Sequence, residues 1–244
     1  MTPWVKICGA TRPADIDLLA GAGVDLVGLW HGVPGGHAEL GIGALAALAH
    51  AAASTGLWPV LVTLQNSAAA IRQVLSAARM SWVQLHGYQP PGTVHTLKAT
   101  DGDLRVIKVL HLREDDCPER PLIRAYERAG ADCFLLDSVT EHGRFGSTAR
   151  VLDVTVALAL ADLISRPFLL AGGITADRAG QLREVSGHPR FLGIDVDTGA
   201  RDRHRRLDPA RIADIRRAWP TSPTVGTPTV GTPTVEVPTV GAQR

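Results

Sequence analysis

The chain has 244 residues, 45% of them hydrophobic, enough for one sizeable core and compatible with a single domain. A net charge of +1 leaves no electrostatic footprint for nucleic acid or an anionic membrane surface, and the basic run from Arg201 to Arg211, interleaved with Asp202 and Asp208, reads as a solvated helix start. Cys8, Cys117 and Cys133 are odd in number and far apart, which argues against a disulfide framework or a zinc site; with no signal-like or membrane-length apolar run, a soluble cytoplasmic protein is expected.

The first apolar run, Trp4–Cys8, carries β-branched Val5 and Ile7 and suits a short buried strand. Gly9 stops it, and Arg12-Pro13 turns the chain into a helical pattern over Ala14–Ala22. Seven further apolar runs follow: Leu26–Trp30, Val60–Leu64, Trp82–His86, Val106–Leu110, Cys133–Asp137, Phe168–Gly172 and Phe191–Asp195. None alternates cleanly, as expected of strands covered on both faces. The helical patterns between and after them are Gly43–Thr55, Ala68–Ala78, Gly92–Thr100, Pro121–Gly130, Leu152–Leu163, Ala176–Val185 and Pro209–Trp219. Gly21, Gly23 and Gly130 stand where a helix closes with a left-handed residue, and Asp208-Pro209 reads as an N-cap followed by proline at the first helical position.

Eight strand–helix units predict an α/β fold, a (β/α)8 TIM barrel over residues 1–219. A doubly wound open sheet is the alternative, but no GxGxxG fingerprint follows the first strand. Residues 220–244 repeat Pro-Thr-Val-Gly with a five-residue period and are expected to be a disordered tail, a passive appendage rather than a core element.

In such a barrel, residues at the strand ends converge on one mouth. That set is Cys8, His31, Gln65, His86, His111, Asp137, Gly172-Gly173 and Asp195. A lone cysteine is more often a small buried hydrophobe than a nucleophile or base. Cys8, however, ends a strand, and Lys6 two residues back points to the same side, where an ammonium would favour a thiolate. Asp137, on the sixth strand, faces the first across the ring. A thiolate base and a carboxylic acid on opposite faces suit a proton moved within one substrate, although helix capping or a loop ion pair would explain Asp137 equally well. Gly172-Gly173 after strand seven and Thr198-Gly199 after strand eight suit a phosphate held by backbone N–H groups, while a Gly-Gly also serves any tight turn.

These pieces in this order resemble the phosphoribosylanthranilate isomerase family. The matching stretches are Val5-Lys6-Ile7-Cys8-Gly9, Gln84-Leu85-His86-Gly87, Ile107-Lys108, Leu135-Leu136-Asp137, Ala171-Gly172-Gly173-Ile174-Thr175, and Asp195-Val196 ahead of Gly199. The resemblance spans about residues 4 to 219 and implies an Amadori rearrangement of an aminoaldose phosphate, in tryptophan biosynthesis. By the same resemblance Asp137 is the general acid that protonates the ribose ring oxygen, and Cys8 is the base that removes the C2′ proton. Lys6, His37, Gln84, His86, Gly172, Gly173, Asp195, Thr198 and Gly199 are expected to line the phosphosugar site. No cofactor and no metal are implied, because the iminium is itself the electron sink. A free thiol titrates near ~8.5, so Cys8 is expected to need activation, with Lys6 as the candidate. Monomer and homodimer are both compatible with the sequence.

The chain departs from the family in four loops. His37 falls nearest a position where the family has an arginine for the anthranilate carboxylate, and a neutral imidazole cannot replace a bidentate guanidinium. Arg12 or Arg144 would then hold that carboxylate, or the amine differs. Gly143–Arg150 lacks the family's Lys, Asp and Trp, and Gln65-Asn66-Ser67 keeps the stretch after strand three only loosely. Asp197 sets a carboxylate beside the expected phosphate, with Arg201 available to offset it. The alternatives are therefore an Amadori-type isomerase for a different amino-sugar, and a non-catalytic sugar-phosphate-binding paralogue.

Overall fold

The computed structural model describes residues 3–113, 117–138 and 152–219. The expected tail, 220–244, and the loop containing Arg144 lie outside the described residues. Eight parallel strands close into a barrel in the order β1 to β8, and β1 pairs with β8 through Lys6 opposite Asp195. That closure removes the open-sheet alternative. The strands are β1 (Trp4–Cys8), β2 (Leu26–Trp30), β3 (Trp58–Thr63), β4 (Trp82–Leu85), β5 (Arg105–Leu112), β6 (Cys133–Ser138), β7 (Phe168–Leu170) and β8 (Phe191–Val196).

Around them run α1 (Pro13–Gly21), α2 (Ile42–Ser54), α3 (Ala68–Ala78), α4 (Pro91–Thr100), α5 (Ile123–Ala129), α6 (Val154–Leu163), α7 (Arg183–Ser186) and α8 (Pro209–Ala218). The seventh unit differs from its pattern. The expected helix over Ala176–Val185 is a 3-10 turn, Ala176–Arg178, and then the single turn of α7. Gly180 interrupts the run, and glycine costs about 1 kcal/mol within a helix. Asp208 caps α8 as expected, its carboxylate accepting from Ala210 N at 2.9 Å. Gly130 closes α5 in the left-handed region at φ 102°, whereas Gly21 is the last residue of α1 itself. Among the described residues no helix is long and apolar enough to cross a membrane.

Strand alternation sorts the side chains into two layers. Val5, Ile7, Val27, Leu29 and Val83 point outward and pack under the helices in the main core. Leu26, Val60, Trp82, Ile107, Leu135 and Leu169 point inward and fill the barrel. At its amino-terminal end Trp4, Trp58 and Trp82 form a plug, with the Trp58 and Trp82 rings stacked at 5.8 Å and Trp4 edge-on to Trp58 at 5.0 Å. With the bottom filled by indoles, the charged interior groups are left at the carboxyl-terminal mouth.

Candidate active site

Strand β1 delivers two inward groups one pleat apart, Lys6 and Cys8. Lys6 is fully buried; its ammonium donates to Asp195 Oδ2 on β8 at 2.8 Å and lies 3.4 Å from Cys8 Sγ. Burial works against the lysine's charge, but Asp195 and Cys8 together more than compensate and the Lys6 pKa ends above its ordinary value. Asp195 is pushed upward by burial despite the Lys6 pull.

Cys8 differs from the expectation of a Lys6-activated thiol. Burial pushes it up to about 12, with Lys6 pulling down and Asp195 and Asp197 adding negative charge that opposes ionisation. The physical reason is first the burial of the sulfur, which outweighs the Lys6 pull, and then that the Lys6 charge is already met by a closer carboxylate.

Asp137, inward near the end of β6, is raised to about 7, first by burial and then by the Asp195 charge, with Lys6 opposing and Asp197 adding to the rise. It therefore still carries a proton in a sizeable fraction of molecules near pH 7. Lys6, Asp195 and Asp197 act on both Cys8 and Asp137, so the two groups share one electrostatic environment. His86 Nε2 stands 3.7 Å from Asp137 Oδ2. Burial, then the charges of His111, Lys6 and Lys108, hold His86 well below the usual imidazole range. Its Nδ1 accepts from Gln84 Nε2 at 2.9 Å, which leaves the proton of the neutral ring on Nε2, toward Asp137.

The loop after β2 brings His37 Nε2 to 3.4 Å from Asp197 Oδ1. Arg201 Nε binds the same oxygen at 2.6 Å, and its Nη2 donates to the Cys8 and Gly9 carbonyls at 2.9 and 2.8 Å. Burial raises Asp197, but His37 and Arg201 win and hold it below the usual carboxylate range. Arg201 is 8% exposed, which corrects the reading of its run as fully solvated: the first residue of that run is buried and ties β1 to the β8 loop. Arg12 pairs with Asp15 at 2.7 Å beside α1.

The two glycine-bearing loops meet each other. A Cβ on Gly199 would strike the Ile174 carbonyl, and one on Gly172, at φ 88°, would strike Ser138 of β6. Close approach of the β7 loop to β6 and to the β8 loop thus explains these glycines by packing alone. Two further strand-end candidates are held by contacts outside the Lys6, Asp195 and Asp197 group. His31 Nδ1 contacts the Leu40 carbonyl at 2.7 Å, and His111, fully buried, contacts Glu119 at 2.6 Å through Nδ1. Lys108 faces the helix layer, where it donates to the Gly87 and Val109 carbonyls at 2.7 and 2.8 Å. Among the described residues, no three His, Cys, Asp or Glu side chains are grouped to hold a metal ion.

Two residues of β2 matter that the sequence reading passed over. Gly28 sits opposite Cys8 in register, and a Cβ there would lie 2.7 Å from Cys8 Sγ and 3.1 Å from Lys6 Nζ. Trp30, one pleat on, donates its indole N–H to Cys8 Sγ at 3.0 Å. The available signal was a glycine inside an apolar strand, which marks a close approach.

A family model described as N-(5'-phosphoribosyl)anthranilate (PRA) isomerase matches residues 5–202. The N-(5'-phosphoribosyl)anthranilate isomerase of Halorubrum lacusprofundi is 31% identical over 209 residues, covering 86% of this chain and 92% of its own length. Among solved structures, phosphoribosyl anthranilate isomerase from Thermotoga maritima matches with a TM-score of 0.72 at 24% identity, over 89% of this chain and 98% of that one. A phosphoribosyl anthranilate isomerase in complex with reduced 1-(o-carboxyphenylamino)-1-deoxyribulose 5-phosphate matches with a TM-score of 0.69 at 22% identity, again over 89% and 98%.

Proposed function

The chain belongs to the N-(5'-phosphoribosyl)anthranilate isomerase family, and on that premise we propose how its residues divide the isomerase step of tryptophan biosynthesis. The substrate is N-(5-phosphoribosyl)anthranilate and the product 1-(2-carboxyphenylamino)-1-deoxyribulose 5-phosphate. Asp137 is the acid. It gives its proton to the ribose ring oxygen, the ring C–O bond breaks, and the amine lone pair forms the iminium. Cys8 is the base. Its thiolate takes the C2′ proton, the C–H pair becomes the C=C bond, and the iminium π pair returns to nitrogen; the enolamine then tautomerises to the ketone. The observation that carries this division is the pair of groups at one mouth: a carboxyl raised to about 7, able to hold a proton, and a sulfur whose nearest donors, an ammonium at 3.4 Å and an indole N–H at 3.0 Å, both favour its anion.

Burial disfavours the charge on Cys8. Ring opening creates a cation beside it, which favours the ionised sulfur at the step that uses it. The loops at Gly172-Gly173 and Thr198-Gly199 are assigned the phosphate, through their backbone N–H groups. Asp197 is compatible with an anion nearby because His37 and Arg201 neutralise it.

A second reading, a different amine on the sugar, is favoured by one observation. Of the two described groups considered for the anthranilate carboxylate, His37 is already paired with Asp197 and Arg12 with Asp15. Fluorescence-monitored turnover of N-(5-phosphoribosyl)anthranilate by the purified full chain separates the readings. Turnover lost in Cys8→Ala and Asp137→Asn is expected; no turnover by the native chain would sink the anthranilate assignment. Turnover by Cys8→Ala would sink the base.

A further inference from the structure

Trp30 is 5% exposed, and its indole N–H has Cys8 Sγ as acceptor at 3.0 Å. The ring is fixed from two other sides. His37 meets it edge-on with centroids 4.7 Å apart, and a Cβ added to Gly36 would stand 2.9 Å from the indole carbons. The Trp30 backbone is held too, its carbonyl accepting from Leu40 N at 2.9 Å. The donor therefore cannot swing off the sulfur without moving the β2 loop.

We propose that Trp30 is a positioning residue for the base: its indole N–H holds Cys8 Sγ in place and selectively stabilises the thiolate. This rests on the reading of Cys8 as base. An indole N–H can only donate, and an anionic sulfur accepts far better than a neutral thiol, so the bond is worth more after ionisation. Lys6 cannot do this alone, because its ammonium lies 2.8 Å from Asp195 and only 3.4 Å from the sulfur. The charged groups facing the sulfur are Lys6 on the same strand, which favours the thiolate, and Asp195 and Asp197 from β8 and its loop, which oppose it; the indole N–H adds to the Lys6 side without bringing a carboxylate of its own. The contact is not a general habit of the chain's indoles, since those of Trp82 and Trp219 are buried without a partner.

The test is Trp30→Phe in the full chain, which keeps a ring and removes the donor. We expect kcat to fall about tenfold or more with KM changed less than about twofold, and Cys8 alkylation by iodoacetamide at pH 8, followed by peptide mass, to slow by a similar factor. Undiminished kcat, or alkylation as fast as in the native chain, overturns the proposal. If the variant does not fold, 15N-tryptophan labelling answers the same question. One of the five indole N–H resonances should shift, and exchange about tenfold faster, in Cys8→Ala. No responding resonance overturns the bond. Turnover retained in Cys8→Ala would instead overturn the base assignment, while the labelling experiment still reports on the bond itself.

Discussion

Asp137→Asn should make the protein more stable and nearly inactive, and the gain in stability should grow with pH. In the folded chain burial and Asp195 raise this carboxyl from 3.8 to about 7. An unfolded Asp ionises near ~3.9, so the folded state binds this proton more tightly than the unfolded state. Stability that is complete below about pH 4 is then lost as pH rises through about 7, because ionisation must be forced on a buried group. A shift of roughly three units corresponds to ~4 kcal/mol at most. Asp137 keeps 14% side-chain exposure, so water screens part of it, and ~2–4 kcal/mol is the expected cost at pH 8. At pH 5 only about one unit separates the pH from the unfolded pKa, and the cost is ~1 kcal/mol. Asparagine cannot ionise and escapes both. Urea unfolding of the native chain and Asp137→Asn at about pH 5, 6, 7 and 8, followed by tryptophan fluorescence, gives the difference directly, other titrations cancelling. Loss of an acid should cost about 10²–10⁴-fold in kcat. A stability difference that is flat with pH, or that favours aspartate at pH 8, would refute the reasoning.

If the working form pairs protonated Asp137 with ionised Cys8, the product of the two fractions rises tenfold per pH unit up to about 7 and is level above it, since Cys8 stands at about 12. A kcat/KM profile falling between about pH 7 and 9 would contradict that pairing. Lys6→Met leaves Asp195 buried without its cation and should cost ~3–5 kcal/mol in urea unfolding. Replacing both partners by apolar residues should recover most of that, and a double variant no more stable than the single one would argue against an ion-pair origin. Gly28→Ala places a methyl 2.7 Å from Cys8 Sγ and should destabilise by ~1–3 kcal/mol while cutting turnover; an unaffected variant would show that the strands can part there.

Seven of the eight units were legible because periodicity and end signals agree along the chain. Asp208-Pro209 caps α8, Gly130 closes α5, and Trp4–Cys8 runs as β1 from its first residue to its last. The seventh unit was misjudged where Gly180 weakens the helical pattern. Closure of the ring was inferred from the element count and follows in the structure from β1 pairing with β8. The site was legible as residue types at strand ends, not as electrostatics. The expectation that Lys6 would lower Cys8 missed the burial of the sulfur, which is the largest effect on it, and Asp195, which comes from far along the chain and meets Lys6 at 2.8 Å. Arg201 was legible as a partner for Asp197, but its hold on the Cys8 and Gly9 carbonyls, which takes it out of the solvated run, was not.

The sequence by itself determined the order of strands and helices, the inward pleat shared by Lys6 and Cys8, and the family motifs, because these depend on neighbours a few residues apart. Only the tertiary structure decided which charges compensate each other, which proton stays on Asp137, and that an indole from the next strand reaches the sulfur. Those depend on distances between groups up to 189 residues apart and on the water that the closed barrel excludes.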